Sequence, residues 1–317
     1  MDGHRVRHRS QAVPEGPLNL DHVDAKLLAE LESDGRASFE ALARRVGLSR
    51  AATRARVHRL MASGAMRIAG VMHPEARGLR AFGHVSVYVD AAARPVAETI
   101  ARMEAAPLVT VVAARHGVVA ELRTSDTTAL QEAVTRIRGL PGVRHVETAA
   151  YTSRVKDPHV PPGRVEPIEL DEVDHRLLAA LLEDGRASYA DLVPVVGLSP
   201  SAIRDRVLRL LDSRVVHVGA MVAPGAVGLG HSCGIGVRFH GAAEEALAGI
   251  AALPSVNYLA TTLGRWDAVG TVVAESPAAI GAALDAIRGL PGVRHLEGWV
   301  HLEIVKEDYT AEPAGYG

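Results

Sequence analysis

Residues 20–64 return almost intact 150 positions later, as residues 170–214. The first stretch carries Asp34-Gly35-Arg36-Ala37-Ser38 and Gly47-Leu48-Ser49; the second carries Asp184-Gly185-Arg186-Ala187-Ser188 and Gly197-Leu198-Ser199 at the same offset. Farther on, Arg138-Gly139-Leu140-Pro141-Gly142-Val143-Arg144-His145 recurs as Arg288-Gly289-Leu290-Pro291-Gly292-Val293-Arg294-His295. The repeat therefore spans a whole module. Its period is far longer than the roughly 20–50 residues of a solenoid unit, which indicates tandem duplication of a complete protein.

Each copy opens with three short helix patterns. Asp21 is placed to cap a first helix whose apolar stripe is Val23, Leu27, Leu28 and Leu31. Ser38 caps a second helix carrying Leu42 and Val46, Gly47 ends it, and Ser49 caps a third. In that third helix Thr53, Val57, Leu60 and Met61 recur at helical spacing and form one buried stripe; Ile203, Val207, Leu210 and Leu211 repeat it. Three short helices around a Gly-Leu-Ser turn predict a helix-turn-helix. The β-type runs that follow, at 66–72 and 215–222, read as a wing and hinge strand.

The remainder of each copy alternates strand and helix patterns. In the second copy the order is strand 232–239, helix 243–252, strands 256–262 and 267–274, helix 277–288 and strand 293–305, a ferredoxin-like βαββαβ arrangement. Such a sheet carries helices on one face only, so its Val, Ile and Leu-rich other face needs a second sheet or subunit. The expected fold class is α+β, a winged helix-turn-helix plus a ferredoxin-like domain, twice. The expected boundaries are a disordered basic tail at 1–19, helix-turn-helix domains at 20–80 and 170–230, ferredoxin-like domains at 81–156 and 231–308, a stiff Pro-rich linker at 157–169 and a tail at 309–317. Pairing of the copies within one chain and between chains both remain open, and a homo-oligomer is expected.

A net charge of −2 does not by itself call for a nucleic-acid partner, but the local distribution does. Residues 38–61 carry Arg44, Arg45, Arg50, Arg54, Arg56 and Arg59 against Glu40, a net +5; residues 188–211 carry Arg204, Arg206 and Arg209 against Asp191 and Asp205, a net +1. Because neutralising phosphates releases counterions, copy one should dominate DNA binding. The arginine excess over the three lysines, Lys26, Lys156 and Lys306, also fits genomic base composition. Ser49, Arg50, Ala51, Arg54 and His58 lie at the start or on the open side of the third helix and are candidates for reading base edges. Arg44 and Arg45 suit phosphate contacts, as does Arg204 in copy two. For Arg56 and Arg59, a structural ion pair is an equally good assignment. Pro194 replaces Arg44 and removes a helical hydrogen bond from the second copy.

Several chemistries find no support. One thiol, Cys233, allows neither an internal disulfide nor a four-thiolate zinc site, consistent with a reducing cytoplasm. No apolar stretch follows His4, Arg5, Arg7, His8 and Arg9, so no secretory leader is expected. Residues 215–237 lack formal charge, but glycines, Pro224, His217 and His231 interrupt them, which favours paired strands over a membrane helix. No phosphate loop, nucleophile elbow or zinc-spaced histidine set is present, so no cofactor, metal or enzyme activity is expected.

Taken in order, Leu20-Asp21-x-x-Asp24, the Gly-Leu-Ser turn followed by Arg56-Val57-x-Arg59-Leu60, and Leu-Pro-Gly-Val before the last strand resemble the Lrp/AsnC family of transcription regulators. The resemblance covers about residues 20–308, twice, whereas family members usually carry one module per chain. It implies binding to double-stranded DNA, in the cytoplasm and away from membranes, controlled by a small amino-acid-like effector. Gly264-Arg265-Trp266-Asp267 is similar to the family's Gly-x-aromatic-Asp loop, which implies an effector site at Thr262, Gly264, Trp266 and Asp267; a capped turn with a packed Trp is the bland counterpart. Copy one has Ala114-Arg115-His116-Gly117 there. Two other functions share the architecture: a siroheme decarboxylase-like enzyme, disfavoured because residues 256–262 hold no Arg or His, and an oligomeric co-regulator that does not touch DNA.

Overall fold

The computed structural model describes residues 18, 20–160, 163, 165–241 and 243–309. Most of the two expected tails and part of the linker lie outside the described residues. Copy one runs α1 (His22–Ser33), α2 (Phe39–Val46), α3 (Arg50–Ala62), β1 (Met66–Met72), β2 (Ala81–Val89), α4 (Ala93–Ala101), β3 (Leu108–Ala113), β4 (Val118–Thr124), α5 (Thr127–Arg138) and β5 (Val143–Lys156). Copy two repeats it as α6 (Glu172–Glu183), α7 (Val193–Val196), α8 (Pro200–Asp212), β6 (Val216–Val222), β7 (His231–Phe239), α9 (Glu244–Ala252), β8 (Val256–Leu263), β9 (Ala268–Ala274), α10 (Pro277–Arg288) and β10 (Val293–Glu307).

The strand that follows each helical trio takes its partner from the other copy. β1 and β6 form a two-stranded antiparallel sheet, with Met66 opposite Val222 and Met72 opposite Val216. Val218 and Ala220 of β6 then complete the apolar core of copy one with Leu27, Leu31, Leu42, Val57 and Leu60. Met72 packs against the core of copy two, around Leu177, Leu181, Ile203 and Val207. Neither helical trio therefore closes its core alone. Met61, assigned to the buried stripe, is instead exposed at the rim of α3, while Thr53, Val57 and Leu60 are buried.

The ferredoxin-like sheets close on each other in the strand order β10-β3-β4-β2-β5-β8-β9-β7, an eight-stranded barrel. The seams are cross-copy antiparallel pairs, β5 with β8 and β10 with β3, each interrupted by bulges that bend the strands round the corner. Closure removes the edges of these two sheets and buries the uncovered face of each inside one chain. Along β4, Val118, Ala120 and Leu122 pack outward beneath α4 and α5 while alternate residues face the lumen.

The first residues of the expected linker are packed, not free-running. Asp157 accepts an ion pair from Arg154 at 3.1 Å, and Val160 is buried. Tyr309, assigned to the C-terminal tail, lies under the Arg123 guanidinium, 4.5 Å from ring centre to Cζ. Among the described residues no helix is long and apolar enough to cross a membrane.

Candidate DNA interface and effector loop

Ser38 accepts from the Ala41 N–H at 3.1 Å and Ser49 from the Ala52 N–H at 3.2 Å, so each serine starts the helix assigned to it. Gly47 between them sits at φ +73°, a left-handed conformation that turns α3 sharply away from α2. Apart from its chain neighbours, no described residue comes within 4 Å of where its Cβ would stand, so conformation and not space demands the glycine.

Asp24 is 1% exposed and holds two arginines of α3. Arg56 Nη1 donates to Asp21 Oδ2 at 2.6 Å and to Asp24 Oδ1 at 2.9 Å, and Arg59 Nη2 donates to Asp24 Oδ2 at 2.5 Å. The backbone N–H of Asp24 and then the Arg56 guanidinium pull the Asp21 carboxyl down to about 2. Copy two repeats the cluster with Arg206 and Arg209 on Asp171 and Asp174. The Leu-Asp-x-x-Asp and Arg-Val-x-Arg-Leu motifs are thus two halves of one ion cluster that clamps the first helix to the third.

The remaining basic groups of α2 and α3 are exposed. Arg50, Arg54 and His58 follow one another at i, i+4 and i+8, with Ala51 beside them, and all four are exposed. Arg54 Nε lies 3.4 Å from His58 Nε2, and Arg50 has no ion-pair partner among the described residues. Arg44 is paired with Glu40 at 3.3 Å and Arg45 with Glu30 at 2.7 Å, both on the surface where such pairs exchange readily. Copy two offers much less. Pro194 restricts α7 to four residues, against eight in α2, and α8 presents Pro200, Ser201 and Arg204, the last 3.7 Å from Asp205.

The AsnC-type helix-turn-helix domain matches residues 20–61 and 170–211, and the Lrp/AsnC ligand binding domain matches residues 232–311. The chain belongs to the Lrp/AsnC family. An HTH-type transcriptional regulator of Mycobacterium tuberculosis is 34% identical over 136 residues, 42% of this chain and 92% of that protein. The HTH-type transcriptional regulator FL11 of Pyrococcus horikoshii is 28% identical over 142 residues, 44% of this chain and 94% of that protein. Each thus aligns with less than half of this chain. Over the full length the fold resembles the siroheme decarboxylase NirDL, with a TM-score of 0.63, 14% identity and coverage of 90% of this chain and 93% of that one. At that identity the likeness is one of fold alone.

In this Lrp/AsnC chain the four loop residues proposed from the sequence lie together, but largely engaged with the protein itself. Asp267 Oδ2 accepts from the Phe239 N–H at 2.8 Å, and Thr262 Oγ1 donates to the Trp266 carbonyl at 2.5 Å. Trp266 is buried over Gly236 and stacks on His295 with ring centres 5.7 Å apart. Gly264 is at φ +149°, and a Cβ there would lie 2.8 Å from the Thr148 carbonyl oxygen, so it serves the close approach of copy one. Arg265, not singled out from sequence, does the reaching: it donates to Tyr88 and Glu147 of copy one and to Glu297, each at 2.8 Å. Its repeat partner Arg115 is exposed.

Sequence reasoning also missed a polar pair inside the barrel. Arg123 Nε donates to Glu121 Oε1 at 2.5 Å, and both side chains are more than nine-tenths buried. Burial opposes the charge on Arg123, yet Glu121, Tyr309 and Tyr258 outweigh it and raise its pKa. The signal was available at the 150-residue offset, where Thr271 and Val273 stand in place of Glu121 and Arg123.

Proposed function

We propose that this chain is a DNA-binding transcription regulator that carries both halves of a dimer-like DNA-reading head in one polypeptide and changes its DNA affinity when a small amino-acid-like effector occupies the barrel half. One observation carries the DNA assignment. The basic side chains of α3 divide into a pair, Arg56 and Arg59, held by Asp21 and Asp24, and an outward row of Arg50, Arg54 and His58 on an exposed helix face. Guanidinium groups at the start of a recognition helix are suited to base edges and phosphates of duplex DNA.

The duplication lets the halves diverge. Copy one supplies the stronger contact, with Arg50, Ala51, Arg54 and His58 in the groove, Arg44 and Arg45 on phosphates, and the Ser49 cap setting the helix start. Copy two, with Arg204 and little else, holds the second position with weaker sequence preference. The relatives named as transcriptional regulators support this reading, and the likeness to a decarboxylase, being one of fold, gives no support to an enzyme. The cytoplasm, with no membrane association, is the compartment that suits it, and association of chains into a homo-oligomer is part of the reading.

The test is mapping of genomic fragments bound by the full-length protein, followed by titration of the recovered site across a salt series. Tight, salt-dependent binding to a shared sequence is expected; indifference to duplex DNA at low salt would overturn the proposal.

A further inference from the structure

A cavity of about 260 Å³ lies inside the barrel between the two ferredoxin-like units. It falls just below the roughly 300–1,000 Å³ of pockets for drug-sized ligands, so it suits a smaller metabolite. Its wall breaks the internal symmetry of the chain. Glu121 and Arg123 line it from β4, while the same positions on β9 hold Thr271 and Val273. Tyr258 and His301 line it where the other copy has Leu108 and Tyr151.

Three residues of its wall each carry a buried polar atom with no hydrogen-bond partner among the described residues: Trp299 Nε1, the Tyr258 hydroxyl and His301 Nε2. Native proteins rarely leave such groups unpaired. Arg123 spends only its Nε on Glu121; its two terminal nitrogens make no hydrogen bond among the described residues. That planar fork is matched to a carboxylate. Glu121 Oε2 has only a long contact, 3.4 Å, from the Tyr151 hydroxyl, which leaves it able to accept from an ammonium. Arg154 neutralises Asp157 nearby. Burial keeps His84 and His301 neutral, with pKa values pushed down to about 3 and about 4. Leu108, Val119 and the rings of Tyr151, Tyr258 and Trp299 supply apolar wall around the charged pair.

We infer that this lumen binds one apolar α-amino acid per chain as its zwitterion, with the carboxylate on Arg123 and the ammonium on Glu121. The inference rests on the effector-responsive function proposed above and moves the effector from the Gly264 loop to the barrel interior. The lumen also touches Val71 on β1 and Leu229 and Gly230 on the segment entering β7. The lumen therefore borders the connections that carry the DNA-reading helices. Because Glu121 and Arg123 occur once, the chain holds one such site, where a symmetric pair of identical modules would present two.

Calorimetric titration of the full-length protein with L-phenylalanine, L-leucine and L-methionine, with Trp299 emission as a second signal, tests it. One site per chain is expected for at least one of the three. Phenylpyruvate, which keeps the carboxylate and lacks the ammonium, should bind at least tenfold more weakly than L-phenylalanine. The double variant Glu121→Thr, Arg123→Val installs the residues copy two already carries at these positions, and should lose at least tenfold in affinity while DNA binding without ligand is unchanged. If that variant does not fold, Arg123→Lys keeps the charge, removes the fork and should still weaken binding. Unaltered affinity in the folded variants, two sites per chain, or equal binding of phenylpyruvate overturns the inference. So does silence of all three amino acids in a protein that binds DNA, which leaves the proposed function standing. A protein that binds an amino acid as expected but no DNA defeats the proposed function and not the lumen site.

Discussion

Arg36 and Arg186, equivalent residues of the two copies, reach across the internal pseudo-twofold to backbone carbonyls beside one another. Arg36 Nη1 donates to the Gly185 carbonyl at 2.6 Å and Nη2 to the Ala37-equivalent Ala187 carbonyl at 3.1 Å; Arg186 Nη2 returns a bond to the Ala37 carbonyl at 2.6 Å. Each guanidinium also lies over an aromatic ring of the opposite copy, Arg36 over Tyr189 and Arg186 over Phe39. The Asp-Gly-Arg-Ala-Ser repeat is thus an interface device. Its glycines let the turn approach the β1–β6 ribbon, where the Gly35 N–H donates to the Val218 carbonyl and the Gly185 N–H to the Ile68 carbonyl.

Removing this clasp should loosen the DNA-reading head without touching the barrel. Arg36→Ala and Arg186→Ala should each cost about 1–3 kcal/mol, the range for losing charged hydrogen bonds to partners left partly buried. Lysine at position 36 should not restore it, because a single ammonium cannot replace a fork that spans two carbonyls. Urea unfolding of the full chain measures the loss; unchanged midpoints would refute the interface role.

Asp24 is the hub of the clamp between α1 and α3. Asp24→Asn should cost about 2–3 kcal/mol, since two charge-assisted bonds weaken at a buried position while Arg56 and Arg59 can still turn toward water. Asp174→Asn should behave alike. If instead Asp24→Asn leaves stability intact and strengthens DNA binding, Arg56 and Arg59 belong to the DNA face.

The asymmetry of the two reading heads predicts unequal salt behaviour. Neutralising Arg44 and Arg45 together should lower the slope of log affinity against log salt by about 2, about one per lost phosphate contact, and neutralising Arg204 by no more than about 1. Fluorescence anisotropy of a labelled operator at graded salt reads both; equal slopes would show that the copies contribute alike.

His84 makes the barrel sensitive to acid. Burial first, then the neighbouring His116 and His301, push its pKa from 6.5 to about 3, so the folded state prefers the neutral ring. Between those values the unfolded chain binds more protons, so stability is full above pH 6.5 and falls as pH drops toward 3. At about 1.4 kcal/mol per unit, the loss is of order several kcal/mol. His84→Gln should flatten the fall in melting temperature between pH 7 and pH 4; a variant as acid-sensitive as the wild type would exclude His84 as a cause.

Local chemistry was legible without coordinates. Caps at Asp21, Ser38 and Ser49, the stripe of Leu27, Leu28 and Leu31, and the order of strands and helices in residues 232–305 follow from spacing along one chain, because capping and amphipathic periodicity act over a few residues. Pro194 likewise announced a damaged second helix, and α7 is four residues long. What spacing left open was every choice between partners equidistant in sequence. Arg56 could face DNA or Asp24, and the carboxylates 32 and 35 residues away decide it.

Pairing was decided at the longest range. Two homologous ferredoxin-like faces can cover each other within a chain or between chains, and periodicity is blind to that difference. The tertiary structure selects closure within one chain, with β5 on β8 and β10 on β3. It also exchanges β1 and β6 beneath the helices, because each three-helix unit exposes an apolar surface that the opposite strand covers. Only that closure brings Glu121, Arg123, Tyr258, Trp299 and His301 around a single lumen, where burial turns polar residues scattered over 180 positions into one site.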